Sequence, residues 1–155
     1  LSQIQIRRDI ATNWVAVNPV LAPGEWGLDT TNKLVKMGDG VASWNTLARV
    51  LSPRIGTVTS SAAPTANADA HDQFNVTALA VGATIGAPTG TPFDGQKLMY
   101  RIKDNGTAQT LAYNAIFRAV AVLLPSATTF SRALYIGTVY NAQDSKWDII
   151  AIGQL

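Results

Sequence analysis

Polar and apolar residues alternate along Gln3-Ile4-Gln5-Ile6-Arg7, the two-residue period of a half-buried strand. A short helix carrying Trp14, Val15 and Val17 follows, with Asp9 or Thr12 as its predicted cap and Pro19 as its stop. Pro23-Gly24 then turns the chain into a predicted strand over residues 25–28. A turn at residues 29–32 leads to its hairpin partner, residues 33–37, which Gly38-Asp39-Gly40 closes. Trp44 and Leu47 complete a first unit, residues 1–52.

Residues 53–70 change character. They are rich in Ser, Thr, Ala and Pro, with no large side chain after Val58, and read as a linker or extended arm. From residue 71 to 155 the strand period returns. Phe74, Val76 and Ala78 recur at every second position, as do Leu98, Tyr100 and Ile102, and later Trp147, Ile149 and Ala151. Turn residues separate these runs at Pro88-Thr89-Gly90, Asp94-Gly95, Asp104-Asn105-Gly106 and Asn141 to Ser145. The Asn-Gly pair is a strong hairpin signal, because both residues tolerate positive φ. The expectation is a mainly β chain: a small N-terminal module with one short helix, then an antiparallel, jelly-roll-like β-sandwich.

Composition adds an expectation about assembly. Hydrophobic residues make up 47% of the chain and charged residues only 14%, against about 25% charged in an average soluble protein. Three of the four tryptophans (Trp14, Trp26, Trp44) fall in the first unit, and a domain of roughly 50 residues buries little surface of its own. Copies of the chain are therefore expected to bury these indoles, with Ile4 and Ile6, against one another as the oligomer and attachment interface. A miniature core within one copy is the competing arrangement.

Other features exclude function classes. The absence of cysteine removes disulfides, thiolate nucleophiles and Cys-ligated zinc. The net charge is +2, with no basic run longer than Arg7-Arg8, so no nucleic-acid partner is expected. No stretch approaches the ~20 apolar residues that cross a bilayer. Arg7-Arg8 follow Ile4 and Ile6, which is not the order of a signal peptide, and synthesis in the cytoplasm is expected. His71 is the single histidine and Glu25 the single glutamate, a thin basis for a catalytic triad, a metal site or a glycosidase pair. Asp29, Asp39, Asp94, Asp104 and Asp144 sit in predicted turns, where aspartate satisfies local N–H groups. Gly38-Asp39-Gly40 lacks the strand-to-helix setting of a phosphate loop. The glycosylation patterns at Asn75 and Asn105 have no export signal beside them. Tyr113, Tyr135, Tyr140 and Trp147 fall within strands, which favours core or subunit contact over a carbohydrate platform. No catalytic residue, cofactor or metal ligand is expected.

The most specific feature is an ordered series in the first unit. Ile4-Gln5-Ile6-Arg7-Arg8-Asp9, Trp14, Asn18 to Glu25, Gly27, Lys33, Lys36, Gly38-Asp39-Gly40 and Trp44-Asn45 together resemble the N-terminal domain of phage tropism-determinant proteins. Trp26 and Leu28 around Gly27 depart modestly from that pattern. The resemblance implies a small intertwined module, trimeric in its best-known form, that joins a fibre to the particle. A second group (Asp94 to Leu98, Ile102 to Thr107, Tyr113-Asn114-Ala115, Arg118-Ala119, Tyr140 to Ala142 and Lys146 to Asp148) resembles a structural or adhesive domain of phage virion proteins. Together they imply a non-enzymatic virion protein: a homotrimeric fibre, spike or capsid-decorating head fibre. Its partners would be other virion proteins of capsid or tail. The alternative is a tail adhesin that binds a host cell-surface glycan.

Overall fold

Residues 6–50 and 52–154 are described by the structure, a computed structural model. The chain divides into two units, Leu1–Ser52 and Pro53–Leu155.

The first unit is organised by two indoles. Strand β1 (Arg7–Asp9), helix α1 (Ala11–Val17), and strands β2 (Trp26–Asp29) and β3 (Leu34–Met37) follow in order. β1 lies parallel to β2, and β2 pairs antiparallel with β3. The predicted hairpin is present, each strand starting one residue late. Its turn is tied by Asp29, whose Oδ1 accepts the N–H groups of Thr31 and Asn32 at 2.9 and 3.1 Å, while Lys33 takes a left-handed φ of 56°. The predicted helix is also present, but its N-cap is Ile10, not Asp9 or Thr12. Asp9 Oδ1 accepts instead from the Ile10 N–H and the Asn13 amide. The helix ends at Asn18, in the left-handed region at φ 44°. The strand expected over residues 3–7 falls largely on residues 1–5, outside the described ones, and so does Ile4.

Trp14 and Trp44 stack with ring centroids 3.9 Å apart and planes 13° from parallel. With Leu21 and Leu47 they form a buried cluster within one chain. Trp14 Nε1–H donates to the Leu28 carbonyl at 3.0 Å, which satisfies the one polar atom of the ring. Gly27 leaves the space: a Cβ there would lie 2.6 Å from the Trp44 ring and 2.9 Å from Leu21. The expectation that Trp14 and Trp44 are buried between copies is thereby corrected. The hairpin and the loop after it bring the two rings onto each other, so the competing miniature core is what these two residues build.

The second unit contains β4 (Ile55–Val58), β5 (Gln73–Leu79), β6 (Ala83–Ile85), β7 (Lys97–Asp104), β8 (Leu111–Tyr113), β9 (Phe117–Ala119), β10 (Ala133–Asn141) and β11 (Lys146–Gln154). Six of them form one sheet in the order β4-β5-β7-β10-β11-β9, and β6 pairs with β8. The mainly β expectation holds, whereas the antiparallel one does not. β4, β5 and β7 run parallel, as do β11 with β9 and β6 with β8; antiparallel pairing is confined to β7-β10 and β10-β11. Parallel neighbours need crossovers of a dozen or more residues, and the turn signals at Pro88 and Asp94 lie within such a crossover, which leads from β5 through β6 to β7. Asn105-Gly106 does end β7, but the strand that pairs back on it is β10. The turn predicted over Asn141 to Ser145 does join an antiparallel pair, β10 to β11.

The linker expectation for residues 53–70 is also corrected. β4 pairs with β5, and Pro64, Ala66 and Ala68 are fully buried. Backbone bonds run from Thr84 N to Ala62 O and from Gly86 N to Pro64 O. Small side chains, which suggest a linker in the sequence, here let two backbones approach closely. One face of the main sheet is buried beneath them, with Trp147, Tyr100, Leu98, Ile102, Leu134, Ile136 and Ile149 at its centre.

Within that core, Tyr100 packs edge-on to Phe74 and Phe117, at 6.3 and 5.9 Å between centroids. Its hydroxyl is the one buried side-chain polar atom without a partner among the described residues, and burial pushes the phenol well above its ordinary range. Removing an unpaired polar atom while keeping the ring costs little packing. Tyr100→Phe is therefore expected to stabilise the second unit by about 1 kcal/mol in urea unfolding. A loss of stability would show that the hydroxyl is satisfied, for instance by a buried water.

Candidate functional site

In the first unit two further predicted interface residues, Ile6 and Trp26, stand at the surface. Trp26 is 42% exposed and Ile6 50%. Trp26 sits opposite Met37 in the β2–β3 ladder, and Met37 is exposed too. Val15 and Val17 of α1, and Val20 just beyond it, add an uncovered apolar surface; Val17 is 68% exposed. Only Trp14 of the helix is buried. A helix normally turns a whole apolar stripe inward, so α1 keeps apolar residues that this unit does not cover.

Around the indoles, two cations are fixed. Lys36 is buried, donates from Nζ to the Trp44 carbonyl at 2.5 Å and lies 4.9 Å from the Trp44 ring centroid. Burial, with the Arg49 charge, holds its ammonium below the ordinary lysine range. Arg7 lies 5.3 Å from the Trp14 ring centroid and 3.6 Å from Glu25. Glu25 also accepts the Ala22 N–H at 2.8 Å. The unit's single glutamate and its lysines thus serve its own turns and rings.

Residues 4–42 match the major tropism determinant N-terminal domain. The matched segment is about a quarter of the chain and includes β1, α1, β2 and β3. Over these residues the first unit is similar to that domain. No curated protein matches the chain. No described helix is long and apolar enough to cross a membrane.

In the second unit, His71 Nδ1 accepts the Asn67 N–H at 3.1 Å, and its ring leans on Phe74. A Cβ at Gly56 would lie 2.5 Å from that ring. The histidine closes a loop. The turn aspartates likewise act on backbone: Asp39 accepts from Val41 and Ala42, and Asp94 from Ala142. Asp104 reaches further, accepting from Gly106 and Ser131 through Oδ1 and from the Thr128 hydroxyl through Oδ2. Arg54 pairs with Asp72 at 2.7 Å, and Arg118 with Asp144 and Asp148 at 2.8 and 2.7 Å.

These bonds shape the acid response. The Arg54 hydrogen bond holds Asp72 below the usual carboxylate range, and Arg118 does the same for Asp148. Burial alone would raise Asp104, but bonds from Gly106, Thr128 and Ser131 outweigh it and keep it low. Groups depressed in the folded state contribute stability that is fully present above the unfolded carboxylate value, about pH 4. That stability is lost as pH falls through the folded values. Urea midpoints for the second unit are expected to be level from pH 7 to 5 and to drop below about pH 4. A midpoint that rises on acidification would contradict these assignments.

The opposite face of the main sheet is open. Leu98, Tyr100, Ile102 and Asp104 of β7 point inward, which sends Lys97, Met99, Arg101 and Lys103 to the other side. Arg101 lies between Asn75 of β5 and Tyr135 of β10, and Met99 between Gln73 and Gly137. Two depressions follow one another along the β7–β10 seam. One of about 480 Å³ is lined by Met99, Gly137, Val139, Ile150 and Ala151 among others. The next, about 270 Å³, is lined by Thr77, Arg101, Lys103, Ala133 and Tyr135 with Val76. Neither set was singled out as a site from the sequence. The available signal was the Lys-x-x-x-Arg-x-Lys spacing inside a strand, which puts scattered cations on one face.

Proposed function

We propose that this chain is a non-enzymatic structural protein of a bacteriophage particle, in which the first unit is the attachment module and the second is displayed outward. In this reading it forms a homotrimer and serves as a short fibre, spike or capsid-decorating head fibre. The observation that carries it is the match of residues 4–42 to a tropism-determinant N-terminal domain. The exposed apolar residues of that unit, among them the paired Trp26 and Met37 and the helix residues Val15 and Val17, support self-association, since exposed apolar surface is what subunit contacts cover.

Light scattering on the purified chain is the direct test, with a mass of three copies expected at micromolar concentration. Val17→Glu and Trp26→Glu alter exposed side chains, so they are expected to release folded single chains. A wild-type chain that runs as a monomer would end the trimer reading. Particle reconstruction locates the attachment point on capsid or tail.

A second reading, receptor binding by the outer unit, is favoured by the open sheet face with its three cations. The resemblance of the C-terminal residues to a structural or adhesive phage domain is compatible with either reading. Infection of host cells in the presence of excess purified chain separates them: competition supports adhesion, and its absence supports a purely structural part.

A further inference from the structure

The geometry points to the β7–β10 seam of the second unit as a binding trough for an extended saccharide chain that carries carboxylate groups. Lys97, Arg101 and Lys103 stand on one side of a single strand, and among the described residues none of them makes a salt bridge. Of the carboxylates beside this face, Asp72 is paired with Arg54, and Asp148 shares Arg118 with Asp144. Lys97, Arg101 and Lys103 are therefore three cations on one face without an ion-pair partner among the described residues. A surface of one sign attracts and orients ligands of the other.

The shape narrows the ligand. β7 spans residues Lys97–Asp104, or about 27 Å at a strand's rise, and the two depressions lie in succession along it. A lone anion would need one pocket. A chain with repeated charges suits a trough with cations at intervals. The floor is bare where Gly137 lies between Met99 and Ala151 and where Gly153 lies beside Tyr135, so a flat ring can come close to the backbone. Tyr135 offers an apolar ring face with a polar tip, the kind of surface on which a sugar rests. Arg101 presents a planar fork that fits a carboxylate with two parallel hydrogen bonds, and Gln73, whose amide donates to the buried Asn75 at 2.7 Å, lines the same face. A second copy of the chain fits less well, because face-to-face docking would bring two sets of Lys97, Arg101 and Lys103 together.

This inference rests on the outward display of the second unit, but its test uses the free protein. Titration with hexagalacturonate, followed by amide NMR and calorimetry, is expected to shift residues of β5, β7 and β10 and to weaken as salt is raised. The methyl-esterified hexamer, with the same backbone and no charge, is expected not to bind. Arg101→Gln and the double variant Lys97→Gln/Lys103→Gln are each expected to reduce affinity about tenfold, whereas Lys33→Gln in the first unit, with the same charge change as a single substitution, leaves it unchanged. The double variant alters mainly exposed side chains and carries the test should Arg101→Gln fail to fold. Equal binding of the esterified hexamer, equal loss with Lys33→Gln, or full displacement by inorganic phosphate at equal concentration would overturn the proposal. So would dissociation of an oligomer on Arg101→Gln, which would assign the face to another copy. A particle reconstruction with this face covered would end the display reading and leave the titration result intact.

Discussion

Trp44→Ala is expected to unfold the first unit while the second keeps its native spectrum. Four hydrophobic residues are buried in the first unit's cluster, Trp14, Leu21, Trp44 and Leu47, and the two indoles are by far the largest of them. Truncating a buried tryptophan costs about 3–5 kcal/mol, and a core of this size supplies no more than roughly that in total. The loss also strips the stacking partner from Trp14, removes the ring beneath the Lys36 ammonium, and empties the space that Gly27 leaves open. Trp26→Ala is the control: the residue is partly exposed and outside the cluster, so about 0.5–1 kcal/mol is expected in a dilute, dissociated sample. Amide spectra of residues 6–50 at low concentration report the outcome. Native chemical shifts throughout the Trp44→Ala variant would mean that the stacked indoles are not what holds the unit together.

How much of this was legible in the sequence differed between the two units. In the first, local signals sufficed. The polar turn between two short apolar runs predicted β2 and β3 to within one residue, and Pro19 stopped the helix one residue beyond its left-handed Asn18. Local signals do not say which indole meets which. Trp14 and Trp44 lie on either side of the hairpin in sequence, and only its closure brings them into contact.

In the second unit, strand existence was readable and strand pairing was not. The alternating runs around Phe74, Leu98 and Trp147 all became strands. The two-residue period reveals a buried face, but says nothing about the direction of the neighbouring strand. A Gly-containing turn ends a strand whether the chain folds straight back or crosses over. Residues 59–72 were the hardest to read, because apolar periodicity needs large side chains and this segment packs through Pro64, Ala66 and Ala68. The open face has the same origin. Lys97, Arg101 and Lys103 look scattered until the period of β7 is applied to them, and only the register with β5 and β10 supplies Asn75, Gln73 and Tyr135 as their neighbours.

Asp104 shows how a correct local reading can understate a residue. As a turn aspartate it bonds Gly106, but it also holds Thr128 and Ser131, from a segment that returns to the sheet far along the chain. Asp104→Ala would remove one acceptor from three donors, and the site is almost closed to solvent, with 3% of the residue exposed. Each donor left unpaired costs on the order of 1–3 kcal/mol when buried. A total loss of about 3–5 kcal/mol is expected in urea unfolding of the second unit, with faster amide exchange across residues 105–132. Asp104→Asn keeps one oxygen for Gly106 and Ser131, and the Thr128 hydroxyl can reverse to accept from the new amide. It should cost about 1–2 kcal/mol at pH 7, and less at low pH, where the native carboxylate is protonated and has lost its own advantage. The two stability curves should therefore converge as pH falls. If they stay parallel down to pH 2, the carboxylate charge contributes nothing, and the three hydrogen bonds would do as well with a neutral acceptor.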